Sequence, residues 1–290
     1  MAEKATTGDP YVYNTQQWLN NTYGDDSRFN VVTENGKTGW ATIYALIRAL
    51  QIELGIQETA DNFGNGTQNA FKKRFPNGVL QQADDDTTKD NIYGIIQGAL
   101  VCKGYDFGAS KPTCHFYDGT ANAINKLKSD AGLSDTSATV TLNVMKALLS
   151  MDYFYSYDSS VRTQNIIKMQ RYLNRNYERY FGLTPCDGIY SRGTSKALIY
   201  AIQAEEGMYV SEANGNCGPA TKRCLPRLLV NGTSTGTSYR GQYYSESNFE
   251  KFRILANILL YCNGYGSGEI TSNLNENTIK AFQTKYSIGI

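Results

Sequence analysis

The stretch TIYALIRALQIELGI, residues 42–56, carries its own folding instruction. Ile43, Leu46, Ile47, Leu50 and Leu54 recur every three or four positions, so they share one helical face. Gly55 then suits the left-handed residue that closes a helix. The phrase returns as TANAINKLKSDAGL (120–133), TSKALIYAIQAEEGM (194–208) and NENTIKAFQTKYSI (275–288). The copies register on Leu50-Gln51, Leu127-Lys128, Ile202-Gln203 and Phe282-Gln283. Each ends on an apolar residue, Ile56, Leu133, Met208 or Ile288, preceded by Gly55, Gly132, Gly207 or, in the last copy, Ser287.

Working outward, each long phrase has an earlier helical partner: 14–24, 92–106, 166–178 and 252–266. Three are followed by a shorter one at 67–75, 141–149 and 221–229. In DNFGNGTQNAF (61–71) and NGNCGPATKRCL (214–225), Gly64 and Gly218 are expected to take angles other residues avoid. Thr67 and Thr221 are expected to cap the helices that follow. The copies pair off, because QQWLNNTY resembles MQRYLNRNY, ALIRALQ resembles ALIYAIQ, and LVCKGY resembles LYCNGY. The order is A-B-A-B.

The expected architecture is therefore all-α, a tandem array of three-helix modules. The boundaries are an N-terminal tail (1–10), module 1 (11–83), module 2 (90–151), module 3 (161–230), a Ser/Thr/Gly-rich linker (231–248) and module 4 (249–290). The last is expected to be incomplete, lacking its third helix.

Composition narrows the function. With 28 basic and 27 acidic residues the net charge is +1, which lacks the basic excess of a nucleic-acid binder. No apolar run approaches the roughly 20 residues that span a bilayer. The start, MAEKATTGDPYVYN, has no apolar signal-peptide core, so export is expected to use another route. The 22 tyrosines supply flat apolar faces with polar tips, suited to sugars or peptides.

The apolar-Gln pair, the Gly-apolar helix end and the later G-x-x-T-x-x-x-L phrase (Gly218, Thr221, Leu225; Gly64, Thr67, Phe71) resemble the peptidoglycan-binding-like module of bacterial cell-wall enzymes. The ordered set is similar to the N-terminal region of Gram-positive proteins whose repeats precede a glycoside-hydrolase-like barrel of the family 25 lysozyme type. The resemblance implies an extracellular or cell-wall location, peptidoglycan as partner, and a catalytic domain beyond Ile290. Module 2 departs from the pattern, with no clear Gly before Thr141. No β/α alternation marks a barrel here, so no catalytic carboxylate carries over.

The chain's own chemistry points the same way. One histidine, His115, cannot supply a zinc peptidase's ligand set. Asp118, Asp187, Glu53, Glu205 and Glu206 are expected in turns or exposed helix positions. Asp84, Asp85 and Asp86 are expected to be solvated linker. The six cysteines contain no CxxC pair; Cys102 and Cys262 are expected in cores, and Cys186–Cys217, Cys102–Cys114 or a Cys217–Cys224 loop remain open as disulfides. The expected activity is non-catalytic attachment to peptidoglycan without cofactor or metal. A scaffold without glycan affinity and a muramidase with an inter-module carboxylate pair are the alternatives. Candidate contacts are Trp40 and Tyr44 in module 1 and Asp187 and Tyr190 in module 3, with core packing a competing role for Trp40.

Overall fold

The computed structural model describes residues 8–80, 89–222 and 238–285, and only the backbone of 282 and 283. Asp84–Asp86, Cys224, most of the 221–229 phrase and the side chains of Phe282 and Gln283 lie outside this description. The protein is all-α: helices and one isolated antiparallel bridge, Val79 with Val140, make up the regular structure among the described residues. It divides into two compact units, Met1–Ser129 with Ser134–Asp152, and Asp130–Leu133 with Tyr153–Ile290.

The first unit holds α1 (Pro10–Tyr23), α2 (Trp40–Glu53), α3 (Asn65–Arg74), α4 (Asn91–Cys102), α5 (Asp118–Asp130) and α6 (Leu142–Leu148). The second holds α7 (Val161–Phe181), α8 (Arg192–Glu205), α10 (Glu246–Cys262) and α11 (Glu276–Lys285). Between them α9 begins at Pro219 and is described as far as Lys222. The long helices expected from residues 42, 120 and 194 are α2, α5 and α8, each beginning two residues earlier. α4 is the centre of the first unit. Gly94 and Gly98 bring α1 against it, because a Cβ there would meet Trp18 at 2.4 Å and Thr15 at 2.6 Å. In the second unit Leu173, Tyr177, Leu198, Leu255 and Ile258 form the core.

The glycine at the end of each long phrase acts as read. Gly55, Gly132 and Gly207 have φ of 75°, 82° and 86°. Gly55 N–H bonds Ile52 C=O and Ile56 N–H bonds Gln51 C=O, both at 2.9 Å, the paired bonds of a Schellman cap; Gly207 and Met208 repeat them.

Thr67 and Thr221 are not caps. Gly64 is the cap residue of α3, with an ordinary φ of −75°, and Lys222 N–H bonds Gly218 C=O. Neither glycine is left-handed. The threonines lie one turn in, buried, where Thr67 Oγ1 accepts from Gln51 Nε2 at 3.0 Å and Thr221 Oγ1 from Gln203 Nε2 at 3.2 Å. The sequence phrase was a helix start, but its threonine is one half of an internal latch.

That latch recurs. Gln16 Nε2 donates to Thr42, Gln97 Nε2 to Thr120 and Gln170 Nε2 to Thr194, at 2.9, 3.0 and 3.1 Å. Each glutamine oxygen accepts backbone N–H groups of the intervening loop: Asn35 and Gly36, Thr113 and Cys114, or Gly188. Buried loop backbone thereby finds partners that no sheet supplies. Asn257 donates similarly to Thr271 and Asn273 carbonyls, and Lys128, buried where the neighbouring phrases have Gln, donates to Asp135 and Ser137.

A second recurring contact corrects the view of the acids. Tyr23 Oη donates to Glu53 and Tyr177 Oη to Glu205, both at 2.9 Å, while Asn91 and Asn248 donate to the same carboxylates. Glu205 and Glu206 are buried rather than solvent-facing. Glu206 has no hydrogen-bond partner for either carboxylate oxygen among the described residues. Cys102, Cys114, Cys186 and Cys262 are buried thiols and Cys217 is exposed, all unbridged, so neither the Cys186–Cys217 nor the Cys102–Cys114 disulfide is formed.

Candidate functional site

Trp40 opens α2, where Gly39 caps the helix without a side chain. Trp40 and Tyr44 lie one turn apart, their rings stacked with centroids 5.4 Å apart and planes inclined by 28°. Trp40 is 54% exposed, so core packing is not its role. The pair forms an apolar shelf on the outer face of a helix whose inner face is fully buried. The corresponding positions on α8, aligned through ALIRALQ and ALIYAIQ, are Arg192 and Lys196. Lys196 Nζ stands 5.9 Å from the Tyr200 ring centroid. The second unit therefore presents a cationic surface where the first presents an aromatic one.

Asp187 and Tyr190 sit on the loop latched by Gln170. Asp187 Oδ1 accepts from Gln170 Nε2 at 3.0 Å and from Ile189 N–H at 2.9 Å, so this oxygen is engaged in shaping the turn. Tyr190 is half-buried and packs against the core of the second unit, while Ile189 beside it is 61% exposed. The structure thus brings Trp40 and Tyr44 together as a surface and uses Asp187 and Tyr190 largely for the fold. His115 is buried, stacked on Tyr117 at 5.2 Å, and its carbonyl receives Gln97.

Two concavities flank the first helices of the units. In the first unit a small pocket of about 160 Å³ is lined by Asp9, Tyr11, Val101, Gly104, Tyr105 and Asp106. It falls below the roughly 300–1,000 Å³ of ordinary ligand clefts. Asp9 caps α1 through Tyr11 and Val12 N–H, and Asp106 accepts from Gly108 N–H.

In the second unit a groove of about 420 Å³ runs between α7 and residues 267–270. Lys168, Arg171, Tyr172 and Arg175 line it from α7, and Ser267, Gly268, Glu269 and Ile270 form the opposite wall. The α7 residues follow an i, i+3, i+4, i+7 spacing, which places them on one helical face. The cations of KMQRYLNR were legible in sequence as a helical stripe; the opposing wall, some 95 residues onward, was not. Arg171 is pinned by its Nε to Asp130 C=O at 2.8 Å and by Nη2 to Asp130 Oδ1 at 3.5 Å. Among the described residues Arg175 bonds only Gly132 C=O, through Nε at 3.1 Å.

Burial pushes the Glu206 carboxyl up to about 8, so it holds its proton at neutral pH. The Lys128 ammonium holds Asp135 down to about 2. Among the described residues no cluster of three or more His, Cys, Asp or Glu side chains could hold a metal ion, and no helix is long and apolar enough to cross a membrane.

Comparison with known proteins follows the same geography. The chain is 43% identical over 287 residues to the uncharacterised protein YbfG of Bacillus subtilis (strain 168), covering 97% of this chain and 34% of YbfG. It is 45% identical over 233 residues to the uncharacterised FadG of the same organism, covering 80% of this chain and 39% of FadG. The chain thus spans little more than a third of these relatives. No solved structure matches it. The family model that matches, over residues 5–83 and 160–245, is described as FadG/YbfG, PGDB-like domain. This overturns the resemblance to repeats that precede a family 25-type glycoside-hydrolase barrel, since neither that description nor the relatives' names carries such an association. With the two matched stretches together making up more than half of its length, the chain belongs to the FadG/YbfG family of PGDB-like domains.

Proposed function

We propose that this chain binds bacterial cell-wall peptidoglycan without catalysing a reaction on it, and that it works in the wall or outside the cell. The observation that carries the reading is the Trp40–Tyr44 stack, with its exposed Trp40 ring, in a chain of a PGDB-like, peptidoglycan-binding-like, family. A ring face of this kind packs against the apolar face of a sugar, while nearby polar groups fix its orientation. Nucleic acid and membrane are not its partners on this reading.

The test is sedimentation with purified sacculi, together with assays for released reducing sugar and amino groups. The intact chain is expected to co-sediment and release nothing. Trp40→Ala combined with Tyr44→Ala is expected to lower retention about tenfold or more, and Trp40→Ala alone to do so with little change in melting temperature, because the Trp40 ring is exposed while Tyr44 is half-buried. Retention unaffected by the double substitution would remove the shelf from the site. Failure of the intact chain to sediment would favour a scaffold role.

A further inference from the structure

We propose that the groove along α7 binds the peptide stem of peptidoglycan, a short zwitterionic chain, with its carboxylate on Lys168 and Arg175 and its amine on Glu269. The inference rests on the wall-binding reading and adds the ligand class at a second site. The groove's 420 Å³ falls within the range of small-ligand clefts.

Its charges are uncompensated in a directional way. Lys168 has no ion pair or hydrogen bond among the described residues, and Arg175 commits only its Nε. The terminal nitrogens of Arg175 are therefore available for the two-point pairing with a carboxylate that a guanidinium favours. Arg171 lies between them but is spent on Asp130, so it braces the wall of the groove. Lys168 and Arg175 lie roughly 10 Å apart along the helix, about three residues of an extended peptide.

The facing wall carries the opposite sign. Glu269 is exposed, lines the groove and makes no ion pair among the described residues. Its position is fixed by Gly268, whose φ is 82° and whose Cβ, if present, would meet Asn165 at 2.3 Å and Tyr261 at 2.7 Å. Asn165 donates to Tyr261 Oη at 3.2 Å, and the Arg162 guanidinium lies 5.8 Å from the Tyr261 ring centroid. The loop is thus held hard against the helix. A uniform polyanion would meet Glu269 with like charge, and a neutral sugar would leave both cations unanswered. A ligand with a carboxylate and an amine answers both.

The fold does not require these charges. At the corresponding positions of α1 the first unit has Asn14, Gln17, Trp18 and Asn21, and Asn14 Nδ2 bonds Ser110 C=O at 2.8 Å across the equivalent seam. There the seam is bridged directly; in the second unit it opens onto cations.

The experiment is calorimetric titration of the intact chain with a synthetic stem tetrapeptide bearing a free diamino-acid amine and a free C-terminal carboxylate. Parallel titrations use its C-terminal amide, its amine-acetylated form and poly(glycerol phosphate). Saturable binding of the tetrapeptide is expected, weakened about tenfold or more by Lys168→Ala with Arg175→Ala, as for the loss of charge-assisted bonds. Amidation of the peptide is expected to weaken binding similarly. Glu269→Gln is expected to weaken binding of the free-amine peptide and leave the acetylated one unchanged. Peptide affinity unaffected by the paired substitution overturns the proposal. So does tighter binding of the phosphate polymer that improves further in Glu269→Gln. If the chain sediments with sacculi yet ignores the peptide, the groove assignment falls and the wall-binding reading stands; if it does neither, both fall.

Discussion

Gln16 donates its side-chain amide to Thr42 Oγ1 at 2.9 Å, while its oxygen takes the backbone N–H groups of Asn35 and Gly36. One fully buried polar side chain thus joins the first helix, the loop and the start of the second helix. The loop need not form sheet to satisfy its backbone, which explains how 16 residues between α1 and α2 stay ordered without a strand. Gln170 does the same between α7 and α8.

Replacing Gln170 with Leu is expected to destabilise the second unit by about 2–4 kcal/mol. It strands Gly188 N–H, at a typical cost of about 1–3 kcal/mol for an unsatisfied buried group, and removes the Gln170 bonds to Asp187, Thr194 and Ile189 C=O, the last of which keeps Ser191 N–H. Urea unfolding followed by tyrosine fluorescence would read this. A loss below about 1 kcal/mol would show that water replaces the latch.

Glu206 sets a pH dependence of unusual sign for a carboxyl. Its folded value of about 8 lies above the ordinary 4.5, so the folded chain holds a proton that the unfolded chain releases. Its contribution is fully present below about pH 4.5 and is lost as pH rises through about 8. Glu206→Gln is expected to flatten the fall in melting temperature between those limits. Above pH 8 it should stabilise by about 1–3 kcal/mol, the scale of an unpartnered buried polar group. An unchanged pH profile would place the carboxyl in contact with water.

The Lys128–Asp135 pair works at the acid end. The depressed Asp135 carboxyl contributes stability above the ordinary carboxylate range, and this is lost as pH falls toward about 2. Lys128→Gln restores the residue found at positions 51 and 203 and removes the charge. The gap in melting temperature between pH 7 and pH 2.5 is expected to narrow. A gap that stays as wide would assign the acid sensitivity elsewhere.

Tyr190 and Trp40 are expected to behave oppositely. Tyr190→Ala removes a half-buried ring from the core of the second unit and should cost about 1–3 kcal/mol, lowering the melting temperature by several degrees. Trp40→Ala should leave the melting temperature nearly unchanged while weakening sacculus retention. Equal thermal losses would show that the Trp40 ring is structural.

Sequence alone determined the long helices and the glycine turns that end them, though not where the helices start. The spacing of Ile43, Leu46, Ile47 and Leu50 and the glycines at 55, 132 and 207 are local signals, because helix periodicity and left-handed caps are written within a single turn or two. The exposure of Trp40 was not legible, since an aromatic at a helix start satisfies core and surface patterns equally. Nor was the burial of Glu205 and Glu206: an acid near a helix end reads as solvated until Tyr177, Asn248 and the packed core surround it. The threonines were visible, but their partners lay 16 to 26 residues away, and a hydroxyl has the same sequence signature whether it caps a helix or receives a glutamine. The groove was decided only by tertiary structure. Its cations lie on α7 and its carboxylate lies at position 269, and a site made of opposed charges exists only when packing brings two distant segments face to face.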